Sequence, residues 1–122
     1  MKKLASLVTL FLAFTVATFA QEAKTVQLQQ TDGAFTVKEL KLSEGTYVFE
    51  IENTGVDHEV GFVLIKDGTD ASKPKNHIKE AYVQQPVATG KTQSSKEVKL
   101  EKGTYIYFCP LNPTPQYKLI VE

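Results

Sequence analysis

An all-β domain, folded as a two-sheet sandwich, is what this sequence predicts. Short runs rich in Val, Ile, Phe, Tyr and Thr alternate with turn signals along most of the chain. Several of those runs alternate apolar and polar residues with period two, the mark of a strand buried on one face. Of the 122 residues, about a hundred follow an apolar N-terminal segment, enough for one small domain with one modest core.

The N-terminal segment is read first and set aside. Lys2 and Lys3 precede an apolar stretch from Leu4 to Phe19, and Thr18 and Ala20 supply the small residues that a signal peptidase reads. Residues 1–20 are therefore expected to be a signal peptide, and residues 21–122 the mature domain. The stretch is short for a membrane span, and no cysteine follows it to carry a lipid anchor. An exported protein, periplasmic or secreted, with no membrane span in its mature chain, is the expectation.

The strands follow in order. "KTVQLQQ" (24–30) alternates Val26 and Leu28 with polar neighbours, and "AFTVKELKL" (34–42) follows the turn at Asp32-Gly33. "GTYVFEIEN" (45–53) puts Tyr47, Phe49 and Ile51 on one face and Val48, Glu50 and Glu52 on the other. "EVGFVLIK" (59–66) is almost continuously apolar, as a central strand buried on both sides would be. "SSKEVKL" (94–100), "GTYIYFC" (103–109) and "YKLIVE" (117–122) complete the set. Between them, "DGTDASKPKN" (67–76) reads as loop. "NHIKEAYVQQ" (76–85) is expected to form one short helix across the sandwich, capped by Asn76, with Ile78 and Tyr82 on one face.

Charge and composition remove several function classes. Loss of Lys2 and Lys3 leaves 12 basic against 14 acidic residues, and there is no arginine. A nearly neutral, arginine-free surface lacks the footprint of a nucleic-acid binder. A single cysteine rules out an internal disulfide. The chain has no G-x-S-x-G, P-loop, H-E-x-x-H or C-x-x-C pattern, and two histidines give a catalytic triad or zinc site little to draw on. An enzyme is not expected. A monomer is.

Two segments carry the remaining chemistry: "ENTGVDHEVGF" (52–62), with His58 after a polar turn, and "GTYIYFCPLNPTPQY" (103–117), with Cys109 at a strand end before Pro110, Pro113 and Pro115. Each residue has a plain structural reading. Free cysteine is among the most buried residue types, and a histidine in a turn can simply bond to nearby backbone. Asn112 before Pro113 is suited to hydrogen bonding that stiffens the loop, and His77 to an exposed place on a surface helix.

Together the segments resemble the cupredoxin family, the Greek-key β-sandwich of plastocyanin and its relatives. Asn53, Gly55 and His58 match that family's N-x-x-G-x-x-H turn with a shift of one residue. Gly103, Tyr105, Tyr107 and Cys109 match its cysteine-bearing strand. The resemblance implies copper held by His58 and Cys109, single-electron carriage, and a redox partner docking at loop 110–116. The family's second histidine and its methionine lie three and eight residues after the cysteine; here Asn112 and Tyr117 stand there. A blue-copper centre wants two imidazoles, a thiolate and a weak axial ligand, so Asn112 and Gln116 are the further candidates. The only other imidazole, His77, lies in the central connection, and Glu59 is expected to face away from the site. The alternative is a metal-free domain of the same fold that uses its proline-rich loop 110–116 to recognise protein.

Overall fold

The structure is a computed structural model and describes residues 22–122. The signal peptide expected over 1–20 lies outside the described residues. Nine strands form two sheets: β1 (Lys24–Thr31), β2 (Ala34–Phe35), β3 (Glu39–Leu42), β4 (Gly45–Asn53), β5 (Val63–Lys66), β6 (Thr92–Ser94), β7 (Val98–Leu100), β8 (Gly103–Phe108) and β9 (Tyr117–Val121). The first sheet runs β2-β1-β4, with β6 and β7 both on the far edge of β4. The second runs β3-β9-β8-β5. The pairs β1·β4 and β3·β9 are parallel and the others antiparallel.

The period-two pattern decides which side chains fill the space between the sheets. From β1, Val26, Leu28 and Gln30 point inward; from β4, Tyr47, Phe49, Ile51 and Asn53 do. They meet Tyr105, Tyr107, Leu119 and Val121 of the opposite sheet, with Phe35, Phe62 and Tyr117 packed edge-on or tilted around Tyr107. Aromatic pairs in such geometries add about 1 kcal/mol each to the burial of their surface.

Four expected elements take a different form. The run 34–42 is two strands in different sheets. The chain crosses between them at Thr36–Lys38, where the Tyr107 hydroxyl donates to the Val37 carbonyl at 2.7 Å. The run 94–100 is likewise broken. Ser95 turns inward and its hydroxyl accepts the Phe49 amide at 2.9 Å, so β6 and β7 pair with β4 on either side of it.

The run 59–66 is a strand only from Val63, and it lies at the edge of its sheet, not the centre. Its outer face is nonetheless buried, because the central connection folds over it. Val63, Ile65 and Ile106 form a second apolar cluster with Ala71, Tyr82 and Phe108.

The helix expected over 76–85 is replaced by two 3-10 turns, Pro74–Asn76 and Lys79–Ala81. Neighbouring strands claim the backbone groups that an α-helix would use internally. His77 bridges to Ile65, Val83 to Ser95, and the Ile78 amide donates to Leu64 at 2.9 Å. Asn76 does not cap; its side chain donates to the Asp70 carbonyl.

Candidate functional site

Cys109 follows the last residue of β8 and is fully buried. Its Sγ accepts two backbone amides, Gly61 at 3.2 Å and Asn112 at 3.3 Å. The loop behind it closes on itself. The Cys109 amide donates to Thr114 Oγ1 at 2.9 Å, and the Thr114 amide returns to the Cys109 carbonyl at 3.2 Å. Pro110, Pro113 and Pro115 have no amide to satisfy, which lets so tight a loop form without orphaned donors.

Asn112 stands at the place of the second equatorial ligand. Its side chain is committed elsewhere. Nδ2 donates to Gln30 Oε1 at 3.1 Å and to the Thr31 carbonyl at 2.8 Å, while Oδ1 accepts the Gly33 amide at 2.8 Å. Gly33 has φ of +68°, which presents its amide to the loop and favours a residue without Cβ. The side chain of Gln30, fully buried, completes the network by donating Nε2 to the Gly61 carbonyl at 2.6 Å. Gln30 thus joins the two residues whose amides hold the sulfur. No buried side-chain polar atom among the described residues lacks a partner.

Gln30 is a site residue that the strand reading passed over. The signal was present: with Val26 and Leu28 inward, the next inward position of β1 is a glutamine. A polar residue on a core face calls for buried partners.

His58 sits on the surface. Its turn is built by Asn53, whose Nδ2 donates to the His58 and Val87 carbonyls and whose Oδ1 accepts the Val56 amide. The ring's Nδ1 lies 2.9 Å from the Glu59 carbonyl, an acceptor only, so this nitrogen is the donor. Gly61, three residues on, is the residue that touches Cys109 Sγ. Turn and thiol therefore share one end of the sandwich, with the imidazole exposed and the sulfur buried.

The other candidates are placed as follows. Gln116 is exposed. Tyr117 turns into the core, where its hydroxyl accepts the Phe35 amide at 3.3 Å. His77 belongs to the outer cluster: Nδ1 lies 2.6 Å from the Tyr82 hydroxyl, Nε2 lies 2.9 Å from the Ala71 carbonyl, and the ring meets Phe108 edge-on. Phe108 and Cys109 belong to different apolar clusters, so His77 is separated from the thiol by the sheet itself.

Among the described residues no three of His, Cys, Asp and Glu are grouped to hold a metal ion. Cys109 is the one sulfur donor at hand, Asn112 has its ligand-capable Oδ1 engaged by the Gly33 amide, and a phenol replaces the thioether. A full blue-copper donor set does not fit these residues.

The outer side of the same loop is different in kind. Leu111 is 53% exposed, the one large hydrophobic residue so exposed among the described residues. It walls a cleft of about 280 Å³ whose other sides include Phe62, Val63, Tyr82, Val83 and Pro110.

Comparisons with known proteins agree with this architecture. The family model described as "Cupredoxin-like domain" matches residues 3–121. Auracyanin A, a "blue" copper protein from the bacterium Chloroflexus aurantiacus, is similar at 20% identity with a TM-score of 0.66, covering 83% of this chain and 100% of that one. An auracyanin from Roseiflexus castenholzii gives 16% identity and 0.64, covering 82% and 98%. An azurin from Methylomonas sp. strain J gives 16% and 0.57, covering 83% and 99%. No curated protein matches the chain in sequence. Among the described residues no helix is long and apolar enough to cross a membrane. At these identities the solved structures establish the shared β-sandwich alone, and the family match over nearly the whole sequence adds the assignment: this chain belongs to the cupredoxin-like family.

Proposed function

We propose that the mature chain is an exported, metal-free cupredoxin-fold domain that recognises protein through the outer side of loop 110–116. The observation that supports this most directly is the contrast between Asn112 and Leu111. Where a second imidazole would be needed, an amide is tied into a buried network, while its neighbour stands 53% exposed at an apolar cleft. An exposed apolar group beside a concave apolar surface is the usual arrangement of a recognition site.

A photo-crosslinking residue at position 111 tests the reading. In the native compartment it should trap protein, whereas the same group at Gln29, on the outer face of the other sheet, should not. An absence of adducts at 111 would sink it.

A second reading keeps copper, with Cys109 and His58 as ligands and single-electron carriage as the role. Two observations favour it. Two backbone amides donate to Cys109 Sγ, and the exposed His58 ring spends Nδ1, not Nε2, on its own turn. Metal analysis of protein purified from its native compartment separates the two. Stoichiometric, chelator-resistant copper would establish the second reading and displace the first.

A further inference from the structure

We propose that Tyr82 and His77 form a one-electron donor in which the phenol's proton passes to the imidazole as its electron leaves. The inference uses neither Leu111 nor Cys109, so it stands whichever reading of loop 110–116 holds. Three observations select this pair.

The first is the partner of each phenol. Of the five tyrosines, three donate to backbone carbonyls: Tyr47 to Ser43, Tyr105 to Glu101 and Tyr107 to Val37. The Tyr117 hydroxyl accepts the Phe35 amide. Tyr82 alone meets a base, with its hydroxyl 2.6 Å from His77 Nδ1. A backbone carbonyl accepts a hydrogen bond without taking the proton, whereas an imidazole can take it. The separation lies within the range over which such a transfer occurs.

The second is direction. The other ring nitrogen, Nε2, lies 2.9 Å from the Ala71 carbonyl, an acceptor only. A neutral imidazole has one N–H, and Ala71 claims it, so Nδ1 is left to accept from the Tyr82 hydroxyl. The backbone holds both residues in place. His77 and Tyr82 each close a 3-10 turn, their amides donating to the Pro74 and Lys79 carbonyls, and His77 also bridges to Ile65 of β5.

The third is the setting. The other four tyrosines are buried, but Tyr82 is partly exposed and lines the cleft, where an oxidant in solvent can reach it. Its inner side packs on Val63, Ile65 and Ile106. Loss of the electron alone would leave a charged ring against that apolar surface, which is costly. Transfer of the proton in the same step leaves a neutral phenoxyl radical at Tyr82 and an imidazolium at His77. The Nε2–H of that imidazolium still meets the Ala71 carbonyl, now in a charge-assisted bond. The electron goes to a high-potential one-electron oxidant, an oxidised metal centre. When the radical is reduced again, the proton returns from Nδ1 to the phenol.

Flash-generated tris(bipyridyl)ruthenium(III) supplies the oxidant, and the absorption of the phenoxyl radical is followed in time on the mature chain. A fast phase is expected, and Tyr82→Phe should abolish it. His77→Asn keeps an oxygen that can accept the Tyr82 bond but not the proton, and His77→Phe keeps only a ring. Both should slow the phase on the order of 100-fold, as loss of a positioned base does. A role for His77 in structure alone predicts that Asn preserves the rate, and that result overturns the inference. So does a fast phase that survives Tyr82→Phe. Circular dichroism checks that the variants fold. The parent chain gives a further test without any variant: the phase should be slower in deuterium oxide, and equal rates in the two solvents overturn the inference.

Discussion

Leu111 and Asn112 are consecutive residues of one loop, yet one is 53% exposed and the other 3%. Asn112 faces inward, where three hydrogen bonds tie it to the hairpin between β1 and β2. Leu111 faces outward and makes no comparable commitment. The inner side resembles a protein core in which each polar atom has a partner; the outer side resembles half of an interface. A short proline-rich loop can serve both because its backbone needs few partners of its own. A buried, hydrogen-bonded side and an exposed apolar side are thereby separated by a single peptide unit, and substitutions on the two should behave differently.

The largest effect is expected from restoring the family's ligands. Asn112→His with Tyr117→Met breaks the network at Gln30, Thr31 and Gly33 and removes the hydroxyl that accepts the Phe35 amide. We expect a loss of about 4 kcal/mol in urea unfolding and no intense colour with copper, since each stranded buried group costs about 1–3 kcal/mol. A stable double variant that turns deep blue would show that the loop can re-aim its side chains and would restore the copper reading.

Asn112→Ala alone is expected to cost about 2 kcal/mol by the same measurement, chiefly by leaving the buried Gln30 Oε1 without a partner, since Gly33 is exposed and water can accept its amide. A loss under about 1 kcal/mol would mean that water readily replaces the amide there, and that the inner side is less sealed than its hydrogen bonds suggest.

Tyr107 gives a smaller, pH-dependent effect. Burial, then the neighbouring Tyr117 and Glu39, hold its phenol well above the ordinary tyrosine value of about 10. The unfolded chain loses this proton first. The contribution is therefore complete below that ordinary value and falls as pH rises toward the folded one. Tyr107→Phe should flatten part of this alkaline decline and cost about 1 kcal/mol at neutral pH through the lost bond to Val37. An unchanged alkaline slope would assign the decline to other groups.

Least of all should change with Leu111→Ala. Its exposed side chain predicts a stability shift within about 0.5 kcal/mol in the same unfolding measurement. A large stability loss would place Leu111 functionally with the inner side and erase the distinction.

Much of the fold was legible in the chain. Alternation in "KTVQLQQ" and "GTYVFEIEN" located β1 and β4 and grouped Val26 with Leu28 and Tyr47 with Phe49 and Ile51, but it passed over the inward polar residues Gln30 and Asn53. The burial of residues 63–65 was legible too, but its cause was not. An unbroken apolar run says that both faces are covered; it does not say whether strands or a loop cover them, and here the central connection covers an edge strand. The helix expected over 76–85 failed for a related reason. Spacing four residues apart describes a face, while the backbone's partners came from β5 and from Ser95.

By itself the sequence indicated the all-β class and the places of β1, β4, β8 and β9 along the chain. These follow from local alternation, turn chemistry and motif spacing, all of which act over a few residues. The tertiary structure alone decided that Gln30 and Asn112, 82 positions apart, would share one hydrogen bond beside the thiol. It also decided that His77 would be used up on the far side of a sheet, and that exposed Leu111 would stand beside an apolar cleft. Such pairings join residues distant in the chain, and their strength comes from exclusion of water, which exists only once the two sheets have closed.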